Sequence, residues 1–167
     1  CLTGIDELIE ASFDKKPDVE FDYHISLMDL PKIFATTLDT IPAKVPYINC
    51  CPMKAEHWKN KLAGADLKVG IVWAGSPTHE KDLYRSCTLK CFAPLTKIKG
   101  VQLYSLQKGD LAAQMDELAE TMSVTNISKE FEDFADTAAA IENLDIVVSV
   151  DTSVLHLAGA MGKSAWA

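Results

Sequence analysis

No stretch of the sequence is apolar for the roughly 18 residues that a membrane-spanning helix requires, so no transmembrane segment is expected. GxGxxG and GxxxxGK(S/T) are both missing, and the dinucleotide-fingerprint and P-loop assignments lose their main support. GxSxG and HExxH are missing as well, which weighs against an α/β-hydrolase or a zinc peptidase. The five cysteines, at 1, 50, 51, 87 and 91, are odd in number and contain no CxxC pair. Reduced cytosolic thiols fit that set better than a disulfide or zinc framework, and a cytoplasmic location is expected. Cationic excess is lacking too: 16 basic residues face 24 acidic ones, for a net charge of −8. No basic patch follows, so nucleic acid is not expected as a partner. A small anionic ligand stays open, because helix N-termini and single Arg or Lys side chains hold phosphate locally. The first ten residues, CLTGIDELIE, carry two Glu and one Asp and no basic n-region, so they do not read as a signal peptide.

What is present is ordinary for a globular chain, with 48% hydrophobic and 24% charged residues over 167 positions. Disorder, collagen and coiled coil are excluded on that composition. Cys1 in place of Met, and a final SAWA that reads as a strand just begun, suggest a piece of a longer chain.

Up to residue 50 the pattern is irregular. IDELIEASF (5–13) reads as helical, FDYHISLMDLP (21–31) as a short strand on the alternation Phe21, Tyr23, Ile25, and ATTLDTIPAKVPYI (35–48) as an ordered linker with two prolines. From Pro52 the chain becomes regular. Helices are predicted at 52–64, near 90–98, at 110–120, 133–144 and 152–162. Buried strands are predicted at 67–75, 101–109, 123–128 and 145–150, with a fifth beginning at SAWA. Strands alternating with helices of about 11 residues need crossover connections, so the sheet is expected to be parallel and doubly wound, Rossmann-like, with helices on both faces. The boundary between two domains is placed near residue 50.

Open parallel sheets bind ligands beyond the carboxyl ends of their strands, which selects 74–86, 107–110 and 151–159. Asp151 follows a strand and precedes a helix, where its carboxylate can act as a cap. The amides of Thr152, Ser153 and Val154 are then donors at the positive end of the helix dipole, suited to a phosphate. His156, four residues after Thr152, shares its helical face. The bland alternative, an ordinary N-cap with a core-edge histidine, fits the same pattern. Ala74, Gly75 and Ser76 follow a strand, and Gly75 permits φ > 0 and a close backbone approach. Arg85, with Ser86, offers a bidentate fork for a diphosphate, although a solvated connection is the alternative for this loop. Lys108 ends the second strand either as a point charge near a ligand or as a solvent-facing side chain. Cys87 and Cys91 are read as buried small hydrophobes rather than a redox or metal pair.

Taken together, FDYHISLMDLPKIFATTLDTIPAKVPYI, VGIVWAGSPTHEKDLYRS, SLQKG and DFADTAAAIENLDIVVSVDTSVLHLAGAMGKSAW resemble one bacterial group. It is the glycosyltransferase region of tetratricopeptide-repeat proteins related to glycosyltransferase family 9, the heptosyltransferase family. The resemblance runs from about 21 to 166, and D-T-x-V-x-H-L-A-G-A-x-G and TTLDTIPA are its most specific parts. Ser164 stands where the family more often has Pro, Ser153 where Ala or Gly is commoner, and Cys87 at an aliphatic position.

The resemblance implies a GT-B architecture of two Rossmann-like domains, with residues 1–49 ending the N-terminal, acceptor-side domain and 50–167 forming a truncated donor domain. It implies a metal-independent, inverting transferase with no cofactor beyond its substrate, a nucleotide-diphosphate sugar, and a carbohydrate or protein acceptor. It places Ala74, Gly75 and Ser76 at the donor phosphates, Arg85 as their basic partner, and Lys108 near the nucleoside. Asp151, Thr152, Ser153, Val154 and His156 fall at the diphosphate and sugar. No catalytic base is named in this chain, and the piece alone is not expected to turn over. Two other classes stay open: a non-catalytic nucleotide- or protein-binding module, and a nicotinamide oxidoreductase.

Overall fold

The structure, a computed structural model, describes residues 6, 7, 9, 18–64 and 67–167. The helix expected at 5–13 lies outside the described residues apart from three isolated positions. The chain divides into two compact units that meet between Lys44 and Val45.

In the first unit the expected strand at 21–31 does not form. Residues 21–26 carry no strand assignment, and Phe21 and Tyr23 are exposed. An extended segment becomes a strand only against a partner ladder, and among the described residues none pairs with it. The chain coils instead. Ser26 Oγ accepts the Met28 amide (3.3 Å) and starts a 3-10 turn over Leu27–Asp29, followed by α1 (Leu30–Ile33) with Pro31 in its first turn. A second 3-10 turn, Leu38–Thr40, is closed by a reciprocal Thr37–Thr40 capping box.

The second unit alternates helix and strand as its sequence pattern requires: α2 (Pro52–Lys61), β1 (Leu67–Val72), α3 (Asp82–Arg85), β2 (Val101–Ser105), α4 (Gln114–Glu117), β3 (Val124–Asn126), α5 (Phe134–Glu142), β4 (Ile146–Ser149), α6 (Ser153–Ala160) and β5 (Ala165–Trp166). Among the described residues the five strands form one sheet in the order β3-β2-β1-β4-β5, with every pair parallel. The helix expected near 90–98 is a 3-10 helix, Leu89–Lys97, since Pro94 removes an N–H from any α-ladder there. The helix expected over 110–120 is a 3-10 turn (Asp110–Ala113) running into the single turn of α4. Leu111, Met115 and Leu118 still pack together on the sheet as their spacing requires.

Alternation along the strands feeds two cores. Val72, Tyr104, Leu106 and Val147 pack with Trp58 and Leu62, with the alanines and Ile141 of α5, and with Ala158 of α6. Val69, Ile71, Trp73 and Leu103 pack on the other face with Leu89, Phe92 and Met122. Packing on the first core leaves no room at Gly70 of β1: a Cβ there would stand 2.6 Å from Leu144 Cδ1 and 2.9 Å from Leu106 Cδ1. Of the two cysteines read as buried, Cys87 is half-buried against the second core, and burial, with Cys91 adding to it, pushes its thiol up to about 11. Cys91 is exposed, a departure from expectation: the 3-10 helix buries Leu89 and Phe92, three apart on one face, and Cys91 falls between them.

The Gly70 contact is checked by urea denaturation. Gly70→Ala is expected to fold but to lose about 1–3 kcal/mol through overpacking, and an unchanged midpoint would mean that the layer gives way freely.

Candidate functional site

The chain steps from β1 outward to β2 and β3, then returns to place β4 on the other side of β1. Neighbouring strands thus send their following loops in opposite directions, and a crevice opens beyond the carboxyl ends of β1 and β4. A cavity of about 600 Å³ lies there, within the range of small-molecule sites. Five segments line it. The turn after β1 gives Ala74, Gly75, Ser76 and Pro77, and α3 gives Arg85. The end of β2 gives Leu106, Gln107, Lys108 and Gly109. The approach to α5 gives Phe131, Glu132, Asp133 and Phe134, and the start of α6 gives Thr152, Ser153 and Val154.

Gln107 fixes the strand ends. Its carboxamide is buried, and Oε1 accepts the amides of Trp73 (3.1 Å) and Ala74 (3.0 Å). Its Nε2 donates to the carbonyls of Ala74 (3.0 Å) and Lys108 (3.0 Å). The bonds satisfy backbone groups that lie past the last ladder pairs of β1 and β2, those of Trp73 and Ala74 being buried. The Gln107 carbonyl in turn accepts Ser128 Oγ at 2.6 Å. Lys108 extends the same frame, its Nζ donating to the carbonyls of Phe131 (2.8 Å) and Ser128 (3.2 Å).

Arg85 lies across the turn after β1. Gly75 does not have the positive φ that glycine there suggests; among glycines of positive φ it is absent. Its lack of a side chain serves another end. A Cβ at Gly75 would stand 2.6 Å from Arg85 Nη2 and 2.9 Å from Cζ, so the guanidinium rests directly on the bare backbone. Nη1 donates to the Asp151 carbonyl at 3.2 Å, linking this turn to the start of α6. Nε is buried without a hydrogen-bond partner among the described residues, with Asp82 Oδ1 at 3.8 Å, too far for one. Ser86 holds the loop rather than a ligand: its Oγ accepts the Gly75 amide (3.0 Å) and donates to Asp82 Oδ1 (2.6 Å).

At α6 the N-cap is Thr152, with no side-chain cap bond, in place of the expected Asp151 carboxylate. The Asp151 carboxylate instead meets His156 Nε2 at 3.2 Å, both side chains being well exposed. The first intrahelical bond runs from the His156 amide to the Thr152 carbonyl, so the amides of Ser153, Val154 and Leu155 precede the ladder. Thr152 Oγ1 pairs with Ser149 Oγ at 3.0 Å and anchors the turn to β4.

Of the ten residues singled out from the sequence, Ala74, Gly75, Ser76, Arg85, Lys108, Thr152, Ser153 and Val154 come together around the cavity. Asp151 and His156 lie beyond its lining. Ala74 has both its amide and its carbonyl engaged by Gln107, and the Gly75 amide is engaged by Ser86. The amides of α6 are therefore the ones placed before a helix ladder.

Sequence reasoning missed the wall formed by 131–134. Its signal was an Asp133–Asp136 spacing of three, a capping box that starts α5. Asp133 Oδ1 accepts the Asp136 amide (2.9 Å), and Asp136 Oδ2 accepts the amides of Glu132 (2.9 Å) and Asp133 (3.4 Å). The hydrogen bond from Lys54 holds the Asp136 carboxyl below its usual range, helped by these amides and opposed by partial burial. Among the described residues no group of three His, Cys, Asp or Glu is arranged to hold a metal ion, and no helix is long and apolar enough to cross a membrane.

Gln107→Leu tests the frame. It strands three buried backbone groups, of Trp73 and Ala74, and is expected to cost about 3 kcal/mol or more in chemical denaturation, whereas a loss below about 1 kcal/mol would mean that water replaces the carboxamide.

No family model matches the sequence, and no curated protein matches it. Among solved structures it is similar to that of Escherichia coli ADP-heptose LPS heptosyltransferase II, with a TM-score of 0.59 at 13% sequence identity. The match covers 78% of this chain and 42% of that one, so the chain spans less than half the length of the enzyme it resembles. At that identity the likeness is one of fold: an α/β layer with a five-stranded parallel sheet, resembling one domain of a heptosyltransferase.

Proposed function

We propose that residues 45–167 bind the nucleotide-sugar donor of a glycosyltransferase of heptosyltransferase type, with GT-B organisation. The observation that carries this is the make-up of the cavity. Free amides at the start of α6 and the guanidinium of Arg85 share a lining with a second wall that bears Phe131, Phe134 and the carboxylate of Glu132. That pairing suits an elongated ligand with an anionic group at one end and an aromatic, hydroxylated one at the other. The fold likeness to an ADP-heptose enzyme supports the same class of donor.

In such a reaction an acceptor hydroxyl oxygen forms a bond to the anomeric carbon as the bond from that carbon to the diphosphate oxygen breaks. Charge grows on the departing diphosphate. The amides of Ser153 and Val154 and the side chain of Arg85 would stabilise it, being fixed before reaction begins. The base that takes the acceptor proton is assigned to no residue of this chain. A second reading, a nucleotide-binding module without chemistry, is favoured by the fact that Lys108 and Asp133 are held by backbone partners rather than left for proton transfer.

The test is a thermal-shift and calorimetric panel of ADP, UDP, GDP and CMP on the full-length protein, followed by assay of sugar release from the matching nucleotide sugar. A saturable shift with one nucleotide, weakened about tenfold or more by Arg85→Ala, is expected if the guanidinium makes charge-assisted contacts. Binding without sugar transfer to any acceptor supports the module, and a flat panel overturns both.

A further inference from the structure

Helix α2 contributes no residue to the cavity lining, yet three of its turns grip the segment that forms one wall. Lys54 Nζ donates to Asp136 Oδ1 at 2.6 Å and reaches Asp133 Oδ1 at 3.4 Å. One turn on, the Trp58 ring meets Phe131 edge to face, with centroids 5.2 Å apart. A turn further, Lys61 pairs with Glu130 and sits 5.4 Å from the Trp58 ring centre. Positions 54, 58 and 61 share one helical face, so α2 presents a stripe to residues 130–136.

The first of these contacts bears on backbone. Two carboxylates, Asp133 and Asp136, start α5 side by side and repel each other unless a cation lies between them. With Lys54 in place, one oxygen of Asp136 is held by the ammonium and the other is free to fix the amides of Glu132 and Asp133. Lys108 holds the same segment through the Phe131 carbonyl. The wall is thus strung between two lysines, of which one lies outside the site.

We propose that Lys54 is a positioning residue for ligand binding: through Asp136 it fixes the backbone of Glu132 and Asp133, and with it the wall against which the nucleoside half of a nucleotide lies. This rests on the donor-site reading above. Asp136 is buried, but the Lys54 end of the pair is partly exposed and solvent-screened, which limits its effect on overall stability. Its effect on the wall is local. The anion-binding end, at α6 and Arg85, belongs to other elements and is left intact.

The experiment is calorimetry on the full-length protein with ADP, UDP, GDP, CMP and inorganic pyrophosphate, for wild type, Lys54→Met and Lys54→Arg. Lys54→Met is expected to weaken the preferred nucleotide about fivefold or more while pyrophosphate stays within about twofold, with most of the loss recovered in Lys54→Arg. Should the Met variant fail to fold, Lys54→Gln, which keeps a donor but no charge, is expected to give the same split. Unchanged nucleotide affinity, or equal loss for nucleotide and pyrophosphate, overturns the positioning role and leaves the donor site standing. Wild type that binds pyrophosphate but no nucleotide, or no probe at all, overturns the donor-site reading and this role with it.

Discussion

The carboxamide of Gln107 joins the end of β2 to that of β1 by three hydrogen bonds, to Trp73 and Ala74, and makes a fourth to the Lys108 carbonyl beside it. A parallel ladder ends abruptly where the chains diverge, and buried amides past that point need partners. Gln107 supplies both donors and acceptors from one planar group, which a carboxylate or an apolar side chain could not do. Because it holds Ala74 by both backbone groups, it also sets where Gly75 stands. Because its own carbonyl takes Ser128, it sets where β3 leads into the 131–134 wall. Two sides of the cavity descend from one residue, its carboxamide holding the first and its backbone carbonyl the second.

The remaining sides are joined by charge placed on backbone. Arg85 reaches from the turn after β1 to the Asp151 carbonyl at the head of α6, and its path is open only because residue 75 has no Cβ. Lys108 plays the same part at Phe131. Both are cations that bind carbonyls, so they order loops while standing in a lining that also carries the carboxylates of Glu132 and Asp133.

The alternation of strand and helix beyond residue 50 was legible because period and punctuation agreed: apolar runs ended at polar or glycine-containing turns, and helices began at Pro52 and Asp133. The sheet's parallel sense followed from connection length. The segment 21–31 was not legible, since an alternating Phe21, Tyr23, Ile25 looks the same whether or not a partner strand exists. At the candidate site, sequence reasoning reached residues next to strand ends, where the topology rule applies. It missed Phe131–Phe134, which sit before a helix rather than after a strand and are brought in by Lys54 and Lys108 from far along the chain. Gly75 was singled out for positive φ and for a close approach to its backbone; it lacks the first, and the group that comes close is the Arg85 guanidinium. Asp151 was expected to cap α6 and instead meets His156, because five residues on, the imidazole comes within reach of its carboxylate.

The central claim is that the crevice between β1 and β4 takes an anion on the amides of α6 and a nucleoside on the 131–134 wall. The most direct measurement is an amide NMR titration of the full-length protein with ADP, read residue by residue. The account predicts the largest shifts at Ser153 and Val154, joined by Glu132 and Asp133, with Trp73 and Ala74 little changed because Gln107 already holds their amides. Shifts confined to other surfaces, or none at saturating nucleotide, would contradict it.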